Sequence, residues 1–224
     1  MLEVIATTLE DAKRIEQCGA DRIELVSALT EGGLTPSYGL IKAVVQAVNI
    51  PVNVMIRPHA KHFVYTTDEL DIMIQDIEIV KTLGANGVVF GMLSTKDKVN
   101  EKQLERLLQA CEGLDVTFHK AIDETDVVES IKCLSQYPQV TTILTAGGCN
   151  PVMTQIDTLN QMMMYSNHLN VLIGGGLTLD NIENLKHKVK TSHFHFGTAV
   201  RENQSPFGEI NCQVLKELIN KLNH

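Results

Sequence analysis

Apolar residues recur along the chain in eight short runs, and each run is followed by a segment in which apolar residues return at helical spacing. The runs are rich in β-branched residues and have the length of buried strands. They lie near residues 2–6, 22–26, 52–56, 86–90, 114–119, 140–144, 171–174 and 193–197. Strands that alternate with helices in this way predict a parallel sheet whose faces are covered by helices.

Several of the helical segments start with residues that commonly cap helices. Three of them carry a Thr or Asn three residues before an acidic or amide residue, namely Thr8–Asp11, Thr66–Glu69 and Asn100–Gln103. A fourth start is expected at Thr35–Pro36, with the threonine as N-cap and the proline at the first helical position. These caps support the division of the chain into βα units.

Eight βα units in 224 residues most simply close into a (β/α)8 or TIM barrel, as a single domain of residues 1–224. The competing interpretation is an open, doubly wound parallel sheet. We favour the barrel because the strand count is eight and both terminal units are complete. Ligands of such barrels bind at the carboxyl ends of the strands.

Four polar residues come late in predicted strands, where a barrel would bring them to one mouth: Glu24, Arg57, His119 and His195. The outward face of each strand must meet apolar helices, so the mixed-polarity face that carries these residues is the interior. Glu24 and His119 are candidates for acid/base catalysis and Arg57 for an anion clamp, with Asp123 nearby. The alternative is a salt-bridge network that fills the barrel.

Glycine-rich turns follow the last two predicted strands. Gly174, Gly175 and Gly176 follow strand seven, and Gly197 with Thr198 follows strand eight. Loops at these two places often bind phosphate through backbone amides in TIM barrels, so we predict an anion site there. The alternative is that the glycines only permit tight turns.

Lys120 directly follows His119 in the chain. Strand alternation points it away from His119, so we expect an ion-paired or solvated lysine rather than a Schiff-base nucleophile.

Composition narrows the class of protein and its partners. The chain is 44% hydrophobic and 21% charged, with a formal net charge of -8, which disfavours nucleic acid or an anionic membrane as partner. No apolar run approaches the ~20 residues of a membrane span, and no signal peptide is evident, so a cytoplasmic location is expected. The five cysteines are odd in number and form no C-x-x-C pair, so reduced thiols are expected.

Long blocks of the sequence resemble the CutC copper-homeostasis family. They include GADRIELVSALTEGGLTPSYG (19–39), IPVNVMIRPHAKHFVYTTDEL (50–70), VTFHKAID (116–123), IGGGLTLDNI (173–182) and FHFGTAV (194–200). The resemblance covers nearly the whole chain in order. It implies a TIM barrel, a cytoplasmic location, a role in copper handling and a homodimer or higher homo-oligomer. Copper as a ligand is implied by this resemblance only.

The chain departs from the family pattern at two positions where many members carry cysteine, because Ile5 and Val26 stand there. Thiolates at these positions would be soft ligands for copper, and this chain lacks both. Two functions therefore stay open, a copper-homeostasis protein that binds copper or controls its level, and an enzyme that acts on a small anionic or phosphorylated metabolite. A non-catalytic scaffold is a third possibility.

Overall fold

Eight parallel strands form a closed barrel in the computed structural model, which describes residues 1–223. The strands follow chain order, and β8 pairs with β1 to close the sheet, with Leu2 opposite Phe194 and Val4 opposite Phe196. The predicted TIM barrel is thus confirmed, and the open-sheet alternative is wrong. The strands are β1 Leu2–Ala6, β2 Arg22–Leu25, β3 Val52–Met55, β4 Gly87–Phe90, β5 Asp115–Phe118, β6 Val140–Thr145, β7 Asn170–Gly174 and β8 Phe194–Phe196.

One α-helix follows each strand and packs on the outside of the barrel. These helices are α1 Leu9–Cys18, α2 Tyr38–Ala47, α3 Thr67–Thr82, α4 Glu101–Ala110, α5 Val127–Leu134, α6 Ile156–Tyr165, α7 Ile182–Lys186 and α8 Cys212–Asn223. In α3, for example, the buried residues Leu70, Met73, Ile77 and Val80 form one stripe that faces the strands. Most of the apolar core therefore lies between the barrel wall and the helices.

Three of the four predicted helix starts are confirmed. The Thr8 and Asn100 side chains each accept a hydrogen bond from the backbone N–H of the residue three positions later in the chain. Thr66 forms a full capping box with Glu69. These caps satisfy backbone N–H groups that the helices themselves leave without a partner.

The predicted start of α2 is wrong by two residues. Ser37, not Thr35, is the N-cap, and its hydroxyl accepts a hydrogen bond from the Leu40 amide at 3.3 Å. The Thr35 hydroxyl instead accepts a hydrogen bond from the backbone N–H of Arg57 at 2.9 Å. Ser37 offers the same capping chemistry as Thr35. Because the Thr35 hydroxyl is engaged by the Arg57 backbone, Ser37 is the residue that caps the helix.

Two cysteines from the ends of the chain form a disulfide. Cys18 at the end of α1 and Cys212 at the start of α8 are joined, with their Cα atoms 5.8 Å apart. The expectation that all thiols stay reduced is therefore wrong for this pair, because closure of the barrel brings together residues 194 positions apart. None of the helices described within residues 1–223 is long and apolar enough to cross a membrane.

Candidate functional site

A cavity of about 340 Å³ opens at the mouth of the barrel where the strands end. Glu24, Arg57, His119 and His195 all line it, so the structure brings together the four polar strand-end residues named from the sequence. Their strands lie at different points around the barrel, and only ring closure allows their side chains to reach one space.

The glycine turns reach the same cavity in part. Gly175, Gly176, Gly197 and Thr198 line it, whereas Gly174 is the last residue of β7 and lies outside the lining. Four of the five residues predicted for an anion site therefore lie at the cavity wall, and whether they bind an anion stays a prediction.

A buried charged network lies beneath the cavity floor. Strand register sets Glu3 between Arg22 on β2 and His195 on β8. One oxygen of the Glu3 carboxylate accepts from the Arg22 guanidinium at 2.5 Å, and the other lies 2.7 Å from His195 Nδ1. Burial acts to raise the pKa of Glu3, but Arg22 and His195 outweigh it and hold the pKa below its ordinary value.

Glu3 is a residue that the sequence analysis missed, although a signal for it exists. It stands in the apolar run LEVIA and shares a strand face with Ile5, which lines the cavity. A charged residue on the inward face of a buried strand needs a partner, and two partners are present here.

Glu24 has far fewer partners than Glu3. It is 2% exposed, its Oε1 atom has no hydrogen-bond partner among the described residues, and its Oε2 atom lies 3.8 Å from His195 Nε2. Burial raises the pKa of Glu24 to about 7, with Glu3 adding to the effect and His195 opposing it. Burial also disfavours the imidazolium of His195, yet Glu24 and Glu3 raise the pKa of His195 above its ordinary value.

His119 is held as a neutral ring. Its Nδ1 atom accepts a hydrogen bond from the Ala121 amide at 3.1 Å and so caps the short 3-10 turn that follows β5. Burial, reinforced by Arg57, lowers the pKa of His119 to about 3. The Nε2 atom is buried and has no partner among residues 1–223. Gly91 makes room for the ring, because a Cβ there would lie 2.5 Å from Nδ1.

Arg57 is fixed by backbone carbonyls rather than by a carboxylate. Its Nη1 group donates to the carbonyls of Glu31 at 2.8 Å and Gly33 at 3.1 Å. The guanidinium also lies over the Phe63 ring, 4.8 Å from its centroid. Its positive charge is therefore available to an anion in the cavity.

Lys120 also reaches the cavity, which strand alternation did not predict. The chain leaves β5 at Phe118 and turns, so Lys120 lines the cavity beside His119. Its ammonium donates to Asp123 at 2.5 Å, as an ion-paired lysine should. Gly175 lies against Lys120 Nζ with a φ of +94°, a backbone conformation that favours glycine.

Asp123 lies beside the cavity and is absent from its lining. Its carboxylate accepts hydrogen bonds from the Thr145 hydroxyl, from the Ala146 and Gly148 amides, and from Lys120. With this many donors the carboxylate holds the loop after β6 in place and orients Lys120. Its sequence-based role as an acid or base has no support from this placement.

The two positions without cysteine form an apolar wall. Ile5 and Val26 pack with Met55 and Val89 in a small cluster inside the barrel, separate from the outer core. Ile5 and Met55 line the cavity directly. Apolar lining around a few polar groups is typical of small-molecule sites.

The cavity offers a poor set of ligands for copper(I). None of the described residues that line it is a cysteine, and Met55 is its only thioether. Burial raises the pKa of Cys111 to about 12 and that of Cys133 to about 11, so neither is a ready thiolate. His119 stands near Arg57, whose charge repels a cation.

One group of side chains has the spacing of a cation site. Ligand atoms of Glu3, Glu24 and His195 all lie within 4.8 Å of one another. Oxygen and imidazole ligands suit a harder ion than copper(I). Glu3, however, already binds the Arg22 guanidinium, which would be next to any metal ion held here. The positive charge of Arg22 therefore disfavours a metal ion at this group.

The fold and the cavity define a (β/α)8-barrel protein with an open cavity at the mouth of the barrel. The CutC family model matches residues 1–200. A CutC-named protein of Pasteurella multocida is 36% identical over 209 residues, which cover 92% of this chain and 85% of that protein. The chain belongs to the CutC family.

Other relatives are similar over most of their length. A human protein named copper homeostasis protein cutC homolog is 34% identical over 87% of this chain and 72% of its own. The crystal structure of a putative copper homeostasis protein CutC from Streptococcus agalactiae superposes with a TM-score of 0.83 at 34% identity, covering 88% of this chain and 98% of that one. A phosphoribosyl anthranilate isomerase from Thermococcus kodakaraensis, at 16% identity and a TM-score of 0.65, shares the fold.

Proposed function

We propose that this protein takes part in copper homeostasis, as the names of its human and Dictyostelium discoideum relatives state of those proteins. We infer that its molecular activity is carried out on a small anionic molecule in the mouth cavity. The family membership supports the cellular role. The cavity residues support the molecular one, and a thiolate-bound copper ion has no support from them.

The observation that carries the anion site is the close approach of Lys120 to Gly175. The ammonium lies over a glycine at φ +94°, a left-handed backbone conformation in which a side chain would be strained. Among the residues described, the neighbouring amides of Gly176 and Thr198 donate to no protein acceptor. A cation beside free backbone N–H groups is a common way to hold a phosphate or carboxylate.

Arg57 stands at the same cavity as a second fixed cation. Both positive groups face a space whose remaining wall is mostly apolar. An anionic group of the ligand would be held by Lys120 and the amides, and the rest of the ligand would extend toward Glu24, Arg57 and His119.

Calorimetric titration with inorganic phosphate and pyrophosphate tests the anion site. We expect Lys120→Met to weaken binding by about tenfold or more, since it keeps the apolar stem and removes the charge. Lys216→Met removes an exposed lysine of α8 and is the matched control. Equal affinities of the wild type and Lys120→Met would contradict the proposed site.

Copper binding is tested separately by titrating the reduced protein with copper(I) against a chelator. We expect the chelator to win, because no described cysteine lines the cavity and burial raises the pKa of the Cys111 thiol to about 12. Tight copper(I) binding that survives Lys120→Met would instead favour copper itself as the ligand.

Copper tolerance of a deletion strain, complemented with the wild type or with Lys120→Met, links the cavity to the cellular role.

A further inference from the structure

We propose that the cavity catalyses proton transfer at a carbon next to a carbonyl group, with Glu24 as the base and the Nε2–H of His119 as donor to the carbonyl oxygen. This inference rests on the proposed function, because it takes the small anionic molecule as the substrate. It adds the reaction class and assigns the two groups that perform it.

The tautomer of His119 follows from its hydrogen bond. Because Nδ1 accepts from the Ala121 amide at 3.1 Å, the single proton of the neutral ring is on Nε2. This N–H group is buried without a partner among the described residues, in a side chain that lines the cavity. A buried donor without an acceptor is costly, and a ligand oxygen would satisfy it.

The ring that carries this donor is clamped in place. Phe63 packs against it with the ring centroids 4.9 Å apart. Gly91 lies so close to its Nδ1 and Cε1 atoms that a Cβ would not fit between them. The depressed pKa of His119 keeps it neutral near pH 7, so it can donate a hydrogen bond without being a full acid. A fixed neutral donor is suited to stabilise a developing oxyanion.

Glu24 has the properties of a general base. Its carboxylate is 2% exposed and its Oε1 atom has no hydrogen-bond partner in the described chain. Glu3 holds the neighbouring His195 ring through its Nδ1 atom. The Nε2 atom of that ring is therefore held in position next to the Glu24 Oε2 atom. Its pKa of about 7 lets it take up and release a proton near neutral pH.

The reaction is balanced without an oxidant or a cofactor. A C–H bond next to the carbonyl breaks, its proton goes to Glu24, and its electron pair moves into the new C=C bond. The carbonyl oxygen becomes an oxyanion that the His119 Nε2–H and the nearby Arg57 charge stabilise. Glu24 then returns the proton to the same carbon, or to the former carbonyl carbon while the hydroxyl proton moves to the oxyanion. The substrate class is therefore a small hydroxyketone or aldehyde that carries a phosphate or carboxylate.

The test is hydrogen exchange into hydroxyketone phosphates of increasing length, followed by NMR in deuterated buffer at about pH 7.5. We expect exchange with the wild type, and a loss of about 10²- to 10⁴-fold in Glu24→Gln. His119→Asn should lose about 10²- to 10³-fold, since asparagine keeps the cap on Ala121 and removes the Nε2 donor. Glu112→Gln and His187→Asn replace exposed residues and should leave the rate unchanged.

Binding measured in parallel separates this inference from the proposed function. The probe is 2-phosphoglycolate, whose carboxylate resembles the enediolate, and we expect proton uptake on binding to the wild type and none with Glu24→Gln. If phosphate binds in a Lys120-dependent way but exchange is no faster than with Glu24→Gln, the reaction class is wrong and the anion site stands. If neither anion binds, the proposed function falls too.

Discussion

Replacing Glu24 by glutamine should stabilise the folded protein, and increasingly so as the pH rises. Burial lifts the pKa of Glu24 from 4.5 to about 7, so between these values the folded chain keeps a proton that the unfolded chain has released. The free energy of unfolding of the wild type therefore falls as the pH rises through this window. At about 1.4 kcal/mol per pH unit, the loss amounts to about 3 kcal/mol. The attraction to His195 is already contained in this pKa.

Glutamine has nearly the same shape and no charge to bury, so the variant escapes this loss. Urea unfolding should be followed by circular dichroism, because the chain has no tryptophan. We expect the Glu24→Gln variant to match the wild type near pH 4.5 and to exceed its stability by about 3 kcal/mol above about pH 7. The exposed Glu112→Gln is the control. A stability difference that does not change with pH would refute the reasoning that Glu24 is buried and nearly unpaired.

Three further perturbations test other parts of the structure. Glu3→Gln leaves a buried guanidinium without its anion and should lower the free energy of unfolding by about 3–5 kcal/mol in urea. Gly91→Ala places a Cβ against the His119 ring, and calorimetry should show that the affinity for 2-phosphoglycolate falls at least about tenfold. An unchanged affinity would show that the position of the ring does not matter. Cys18→Ala opens the disulfide to Cys212 and should cost up to about 5 kcal/mol in oxidising buffer and almost nothing in dithiothreitol. Equal losses in both buffers would assign the effect to packing.

The stabilising effect expected of Glu24→Gln has a functional meaning. A carboxylate that lowers stability at neutral pH, in a cavity with an imidazole donor that no described residue accepts from, is typical of a site in which activity outweighs stability. Glu3 is the contrasting case, since its two partners, Arg22 and His195, make it structural and allow it to orient His195. The two glutamates lie on neighbouring strands and differ in role because their partners differ.

Parts of the site were accessible from the sequence because strand geometry is regular. A period of two residues puts Glu24 and His195 on the inward face, and their late place in the strand puts them near the mouth. The loops do not follow such a period. Lys120 and Phe63 enter the cavity through turns after β5 and β3, and nothing in their local sequence marks this position.

Asp123 shows the opposite limit. Its place after a strand end resembles that of a catalytic acid, yet the loop after β6 surrounds its carboxylate with donors and keeps it out of the cavity. The amides that bind the Asp123 carboxylate come from a loop more than twenty residues further along the chain. Such distant donors decide whether a carboxylate at a strand end has hydrogen-bond partners. Local patterns contain no information about such contacts.

The sequence by itself determined the number and order of strands and helices, the inward face of the strands that end in polar residues, and the family to which the chain belongs. These properties depend on local periodicity and on the spacing of short motifs. Only the tertiary structure decided that β8 closes on β1, that Arg22 and His195 both engage Glu3, and that Glu24 is left nearly alone. The physical reason is that the pKa and the availability of a buried group depend on partners distant in sequence, and barrel closure selects those partners.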